Sequence, residues 1–509
     1  MLNQKRRLRV EPSYILLLLT PFLSMLVLCL LFGTSPFAID PVAMDWNDEI
    51  GYYKAAQTML EFGAPQGCTG YNESLGSHLS YDAWIPTIFV PYAAFGRIFG
   101  WQPIGVMLCN VSLTVAANAG FLALVRPRRS QCLWLCLFSG LYLTYERYVW
   151  SNMSEALFTS FLILSLGLIW WLAEHGAEKS RRFLLALGGY CVLVGFYATM
   201  RPYYLALFGL PVLLALKERR PAPAIWAVVC GGISGAVYLY LNANYCSPYM
   251  EENVMVDLPT TLSGWPGFIL RKNLEALDAM VGYAREGGIQ AVVTFFFLAQ
   301  LALIAFWWLT HIGQSAVSWL LFGYGVVFAA IYEAMALFYL TLQNHRHLLG
   351  ACVLMGYLFC LVLPVSCRIF QQALAAFLSL AILGDGISWL ALPQRDELSS
   401  QRADTLPAAF EEVMELAPVT DPWANTVAYD LSAPYQPLYF LPAGMAISYC
   451  RSDYLEQAVE EETLKSKYLY VKPESGTSEL CREKGWELVM QAEGFVLYEN
   501  PNYEADALA

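Results

Sequence analysis

The sequence predicts an α-helical polytopic membrane protein of about eleven transmembrane helices, followed by a small C-terminal α/β domain. Three observations predict it. Apolar runs of about 20 residues, each long enough to cross a hydrocarbon core, recur between residues 14 and 392. Only 14% of the 509 residues are charged and 57% are hydrophobic. Water-soluble domains average roughly 25% charged residues, so much of this surface must face lipid. Short basic clusters sit between alternate runs, and a mixed, polar composition returns only after residue 392.

The basic cluster Lys5, Arg6, Arg7 and Arg9 puts the N-terminus in the cytoplasm. The run at 14–32 is long and no small-residue cleavage site follows it, so it is read as a retained first helix. Residues 48–62 are too polar to span. Residues 84–99 are too short and carry Pro86, Pro91 and Arg97, so both stretches are expected as juxtamembrane helices on the outer surface. Helix two (103–125) then ends at Arg126-Pro127-Arg128-Arg129 on the cytoplasmic side; a spanning 84–99 would put those arginines outside.

The pattern stays consistent beyond that point. Helices three (133–149) and four (156–173) meet outside and return at Lys179, Arg181 and Arg182. Helices five (183–199) and six (203–216) meet outside at Met200-Arg201-Pro202-Tyr203 and return at Lys217, Arg219 and Arg220. Helix seven (224–241) enters a long outer loop, 242–288, holding an amphipathic stretch at 265–283. Helices eight (290–309), nine (316–340), ten (348–363) and eleven (369–390) complete the bundle. The transmembrane domain therefore covers 1–392, with 34–102 as its first outer loop, and 393–509 form a soluble extracytoplasmic domain. Arg271 and Lys272 lie outside against the charge rule, in a long loop where its force is small.

In the C-terminal domain, 426–429 and 468–471 read as strands. Residues 477–484 read as a helix closed by Gly485, and 486–490 with 495–499 as a hairpin. No catalytic constellation stands out there. The domain is expected to be a regulatory or acceptor-binding lid, or a packing domain. Most cysteines lie inside apolar runs as small packing residues, and no metal-ligand spacing occurs; Cys450 and Cys481 are the candidates for a pair. No basic stripe with interleaved aromatics is present, so nucleic acid is not an expected partner.

Mapped on this topology, the polar residues gather at one outer face. Asp45, Asp48 and Glu49 follow helix one, in the stretch Asp45-Trp46-Asn47-Asp48-Glu49-Ile50-Gly51-Tyr52-Tyr53, and Glu155 starts helix four. Arg201 lies between helices five and six, and His345, Arg346 and His347 between nine and ten. A carboxylate can take a proton from a hydroxyl, and an arginine can hold a phosphate bidentately and stabilise its charge. Plainer readings stand beside each of these. Arg201 is where an arginine would snorkel, and the acids suit the first turns of helices. Glu333, deep in helix nine, needs a cationic partner or a water-filled cavity that takes up the donor.

Together these features resemble the GT-C glycosyltransferases. An Asp-Glu pair opens a surface helix after the first span, with aromatics three and four positions beyond Glu49. This is similar to the first outer loop of the protein O-mannosyltransferases and the lipid A aminoarabinose transferases. The resemblance implies a polyprenyl-phosphate sugar donor and a glycan, lipid or protein acceptor at the bilayer surface. It puts Asp48, helped by Glu49, on the catalytic acidic position and Glu155 on a second acid. Arg201 and Arg346 become donor-phosphate ligands, with His345 and His347 beside them. The implied reaction is a single displacement with inversion, and a divalent cation is an option the acids leave open. Two other functions fit the topology: a transporter or flippase of lipid-linked sugars, and a polysaccharide polymerase or ligase. The first would put coupling residues near the bilayer midplane, often with internal repeats. The second would be expected to carry its key residues in a large late loop.

Overall fold

The structure is a computed structural model that describes residues 11–43, 47–74, 85–176, 180–246, 257–286, 289–311, 316–338, 345–414, 416 and 423–503. Helix α1 (Pro12–Phe32) is followed by the juxtamembrane helices α2 (Asn47–Phe62) and α3 (Val90–Phe99), as expected from their polarity and length. Between these two lies strand β1 (Cys68–Tyr71), which the sequence did not announce. Then come α4 (Gly105–Val125), α5 (Arg129–Leu141), α6 (Leu143–Val149), α7 (Glu155–Glu174), α8 (Arg181–Met200), α9 (Gly209–Lys217) and α10 (Pro221–Tyr245). The amphipathic helix α11 (Trp265–Glu286) precedes α12 (Ile289–Thr310), α13 (Ala316–Phe338), α14 (His345–Val362) and α15 (Val365–Leu390).

Among the described residues seven helices are long and apolar enough to cross a membrane: α1, α4, α7, α8, α10, α12 and α13. The other four predicted spans are helical as well, and two of them are interrupted. Span three breaks at Tyr142, just past Ser139-Gly140, a small-residue pair that holds a helix weakly. Span six opens as a 3₁₀ segment, Pro202–Phe208, before α9. Helices α4 and α7 pack closely because glycines face their neighbours: a Cβ on Gly120 would lie 2.6 Å from Leu164, and one on Gly167 3.2 Å from the Phe121 backbone.

The C-terminal domain begins with α16 (Glu397–Val413) and continues through β2 (Thr426–Asp430), β3 (Ala446–Cys450), α17 (Ser452–Glu460), β4 (Tyr468–Val471), α18 (Gly476–Glu483), β5 (Glu487–Ala492) and β6 (Phe495–Glu499). The strands, the helix closed by Gly485 (φ +72°) and the β5–β6 hairpin match the sequence reading. The sheet order is β1-β3-β2-β4-β6-β5, with β1 to β4 parallel. The first loop thus lends an edge strand to a domain that starts more than 300 residues later. Glu73 fixes the graft. It is fully buried, accepts from Ser466 N at 2.7 Å, Lys465 N at 3.0 Å and Tyr454 Oη at 3.0 Å, and gives its own N–H to Ser448 Oγ at 3.0 Å.

Side chains alternate across each strand. Val427 and Tyr429 on β2 and Ile447 and Tyr449 on β3 join the core that continues into the helical bundle. Ala428, Cys450 and Leu469 face a separate core under α17 and α18. Cys450 and Cys481 are both buried there as free thiols.

Candidate active site

Asp48 and Arg346 meet at the mouth of the site. Asp48 lies in the first turn of α2, where the exposed N–H groups of a helix favour an acid. Arg346 lies in the first turn of α14, where the same dipole disfavours a cation, so it needs a compensating anion. Asp48 supplies one: Arg346 Nη1 donates to Asp48 Oδ2 at 2.6 Å. The two side chains keep 22% and 33% of their surface, so the pair is open to a ligand.

A second pair is enclosed. Pro202 disfavours the helical conformation at the residue before it, so α8 stops at Met200 and Arg201 turns extended, with φ −139° and ψ 98°. Its guanidinium lies over the Phe158 ring at 4.0 Å and contacts Glu155 Oε1 at 3.4 Å. Both side chains are buried. Arg201 Nη1 also donates to Tyr203 Oη at 2.9 Å and meets His347 Nδ1 at 2.7 Å. A guanidinium can only donate, so His347 Nδ1 accepts and the ring proton sits on Nε2. Arg346 and His347 are neighbours, so one turn of α14 joins the two pairs.

Glu49, which the sequence grouped with Asp48, is fully buried and holds a different part of the site. Its Oε1 accepts from the Asn152 N–H at 2.8 Å. Asn152 Oδ1 accepts from Met107 N at 3.1 Å, while Asn110 Nδ2 donates to the carbonyls of Ser151 and Met153 at 2.9 and 2.7 Å. These bonds fix the turn from which α7 starts, and Glu155 is the first residue of α7. Asp45 and the side chain of His345 lie outside the described residues.

Tyr52 was legible only as an aromatic near the acids. It stands one turn beyond Asp48 and is buried. Burial, and then the charges of Glu155 and Asp48, raise its hydroxyl above the usual tyrosine range, with Arg201 and Arg346 pulling the other way. It therefore stays a protonated phenol between the two pairs. The i, i+4 spacing from Asp48 is the signal that could have singled it out. Phe158, Asn152 and the hydroxyl of Tyr203 carried no such signal.

Glu333 is paired with a neutral amide, not with the cation that the sequence offered as one alternative. Asn273 Nδ2, from the amphipathic helix α11, donates to its Oε1 at 2.8 Å. Among the described residues no three His, Cys, Asp or Glu side chains converge as metal ligands would. Asp48 and Glu155 each face an arginine instead, and Glu49 a backbone amide.

No protein-family model matches this sequence, and no curated protein is similar to it. Solved structures are similar in fold. ArnT from Cupriavidus metallidurans bound to undecaprenyl phosphate superposes with a TM-score of 0.50 at 10% identity, covering 97% of this chain and 100% of that one. The apo oligosaccharyltransferase of Archaeoglobus fulgidus gives a TM-score of 0.50 at 12% identity, over 92% of this chain and 70% of that one. ArnT and this oligosaccharyltransferase thus share one helical arrangement with this protein, which has the fold of the GT-C glycosyltransferases.

Proposed function

We propose that this protein is a multi-pass membrane glycosyltransferase. It moves a sugar from a polyprenyl-phosphate donor to an acceptor hydroxyl at the extracytoplasmic face, with its N-terminus in the cytoplasm. The observation that carries this reading is the convergence of a half-buried Asp48–Arg346 pair and a buried Glu155–Arg201 pair, joined by His347, at one end of the bundle. The undecaprenyl phosphate bound to ArnT supports a lipid-phosphate donor.

In this mechanism the donor phosphate takes Arg346 from Asp48, in an interaction that one guanidinium can make bidentately. Asp48 is then released to accept the acceptor's proton. The acceptor oxygen bonds to the anomeric carbon as the carbon–oxygen bond to phosphate breaks, and the polyprenyl phosphate leaves with its charge held by Arg346 and by the Arg201–His347 side. Glu155 keeps Arg201 in position from below. The sugar, whether hexose or pentose, and the glycan, lipid or protein acceptor follow from an experiment. Mass spectrometry of envelope glycans and polyprenyl-linked sugars, with and without the gene, is expected to show one decoration lost and its lipid-linked donor accumulated. An unchanged glycan and lipid profile would end the proposal.

A further inference from the structure

The C-terminal domain reaches the site through α2, the helix that carries Asp48. Lys54, fully buried at the middle of that helix, donates to the carbonyl oxygens of Leu441 and of Pro442, the latter at 3.1 Å, and to Gln57 Oε1 at 2.8 Å. One turn on, Thr58 Oγ1 accepts from Gly444 N at 3.3 Å. The Tyr53 ring packs on Tyr439 with centroids 5.2 Å apart. Ile447 N donates to the Gly67 carbonyl at 3.0 Å, and Gly67 lies so close to α2 that a Cβ there would be 2.8 Å from Gly51 O. Tyr439 also faces Glu49 and Asn152 at the other end of the contact.

We infer that the C-terminal domain is a positioning element for the proton acceptor, acting through Lys54, while Glu49 holds the same helix from the bundle side. The inference rests on the transferase reading above. Its physical content is that α2 is held from two sides. Leu441, Pro442 and Gly444 fix its middle, while Glu49 ties its first turn to Asn152 in the turn that starts Glu155. Asp48 touches Arg346 and has its direction set by this frame. A shift of α2 by about 1 Å would misplace it enough to cost about 100-fold in rate.

The test uses the full chain, returned to cells lacking the gene for transfer and purified in detergent for binding of undecaprenyl phosphate alone. Glu49→Ala and Lys54→Met are expected to lower transfer about 10- to 100-fold while undecaprenyl phosphate still binds within about twofold of the wild type. Glu49→Gln keeps an acceptor oxygen for the Asn152 N–H and is expected to recover most of the rate lost in Glu49→Ala. Wild-type transfer in both Glu49→Ala and Lys54→Met would overturn the inference. So would parallel loss of lipid binding, or a Glu49→Gln variant as inactive as Glu49→Ala, which would give the carboxylate a chemical role. Transfer that survives Asp48→Asn would instead sink the transferase mechanism itself.

Discussion

Asp48 Oδ2 and Arg346 Nη1 lie 2.6 Å apart although 298 positions separate the two residues. In the free protein the acid and the cation needed for the proposed chemistry satisfy one another. In the proposed mechanism a phosphate that takes Arg346 Nη1 would loosen Asp48, coupling donor binding to release of the base.

Asp48→Asn is expected to reduce sugar transfer by about 10²–10⁴-fold, the range for loss of a general base. Undecaprenyl phosphate should bind at least as well to this variant, since the charge of Asp48 no longer competes for Arg346. Titration of the purified protein with that lipid checks the second half. Weaker binding would mean that the pair does not compete with phosphate.

Arg346→Ala and Arg201→Ala should differ in kind. The first opens a half-buried pair and is expected to weaken lipid-phosphate binding at a smaller cost in thermal stability than the second. The second strips Glu155, 3% exposed, of its ion-pair partner, and should cost up to about 3–5 kcal/mol of stability. Thermal unfolding in detergent separates them, and the double variant Arg201→Met with Glu155→Gln should regain stability without regaining transfer.

Burial pushes the Lys54 ammonium down to about 7 from its ordinary 10.5, with Glu61 acting weakly the other way. Between those two values the docked state holds fewer protons than an undocked one in which Lys54 meets water. Raising the pH through that window therefore favours docking, and below about 7 both states keep the proton and the dependence flattens. The melting temperature should rise from neutral to alkaline pH in the wild type, and Lys54→Met should remove that part of the slope.

Glu73→Ala should loosen the C-terminal domain, and with it the frame that holds α2. It leaves the N–H groups of Lys465 and Ser466 and the Tyr454 hydroxyl without their acceptor, at about 1–3 kcal/mol for each group that stays buried. Limited proteolysis is the measurement, with faster cleavage expected beyond residue 423.

The spans were readable because lipid demands long contiguous apolar runs, and the strands 426–430 and 468–471 because β-branched and aromatic residues repeat there. Arg201 was readable through Pro202, which ends the helix before it. What the sequence could not carry were long-range partners. Asp48 and Arg346 each suggested a role, but nothing local says that they touch. Glu49 looked equivalent to Asp48, yet one residue along a helix is a turn of about 100°, so the neighbouring acid faces the interior. Strand β1 is four residues with a glycine among them, and only its pairing with β3 makes it a strand.

That borrowed strand also sets an order of assembly. Residues 68–71 emerge from the ribosome early, and their partner β3 comes only after the last helix of the bundle has been made. Strand β1 therefore stays unpaired, and the buried seat for Glu73 incomplete, until residues 446–466 have been made. A nascent protein halted before residue 441 carries the proposed base on a helix held from the bundle side alone. The frame around the proposed base would then be completed only by the last hundred or so residues to be made.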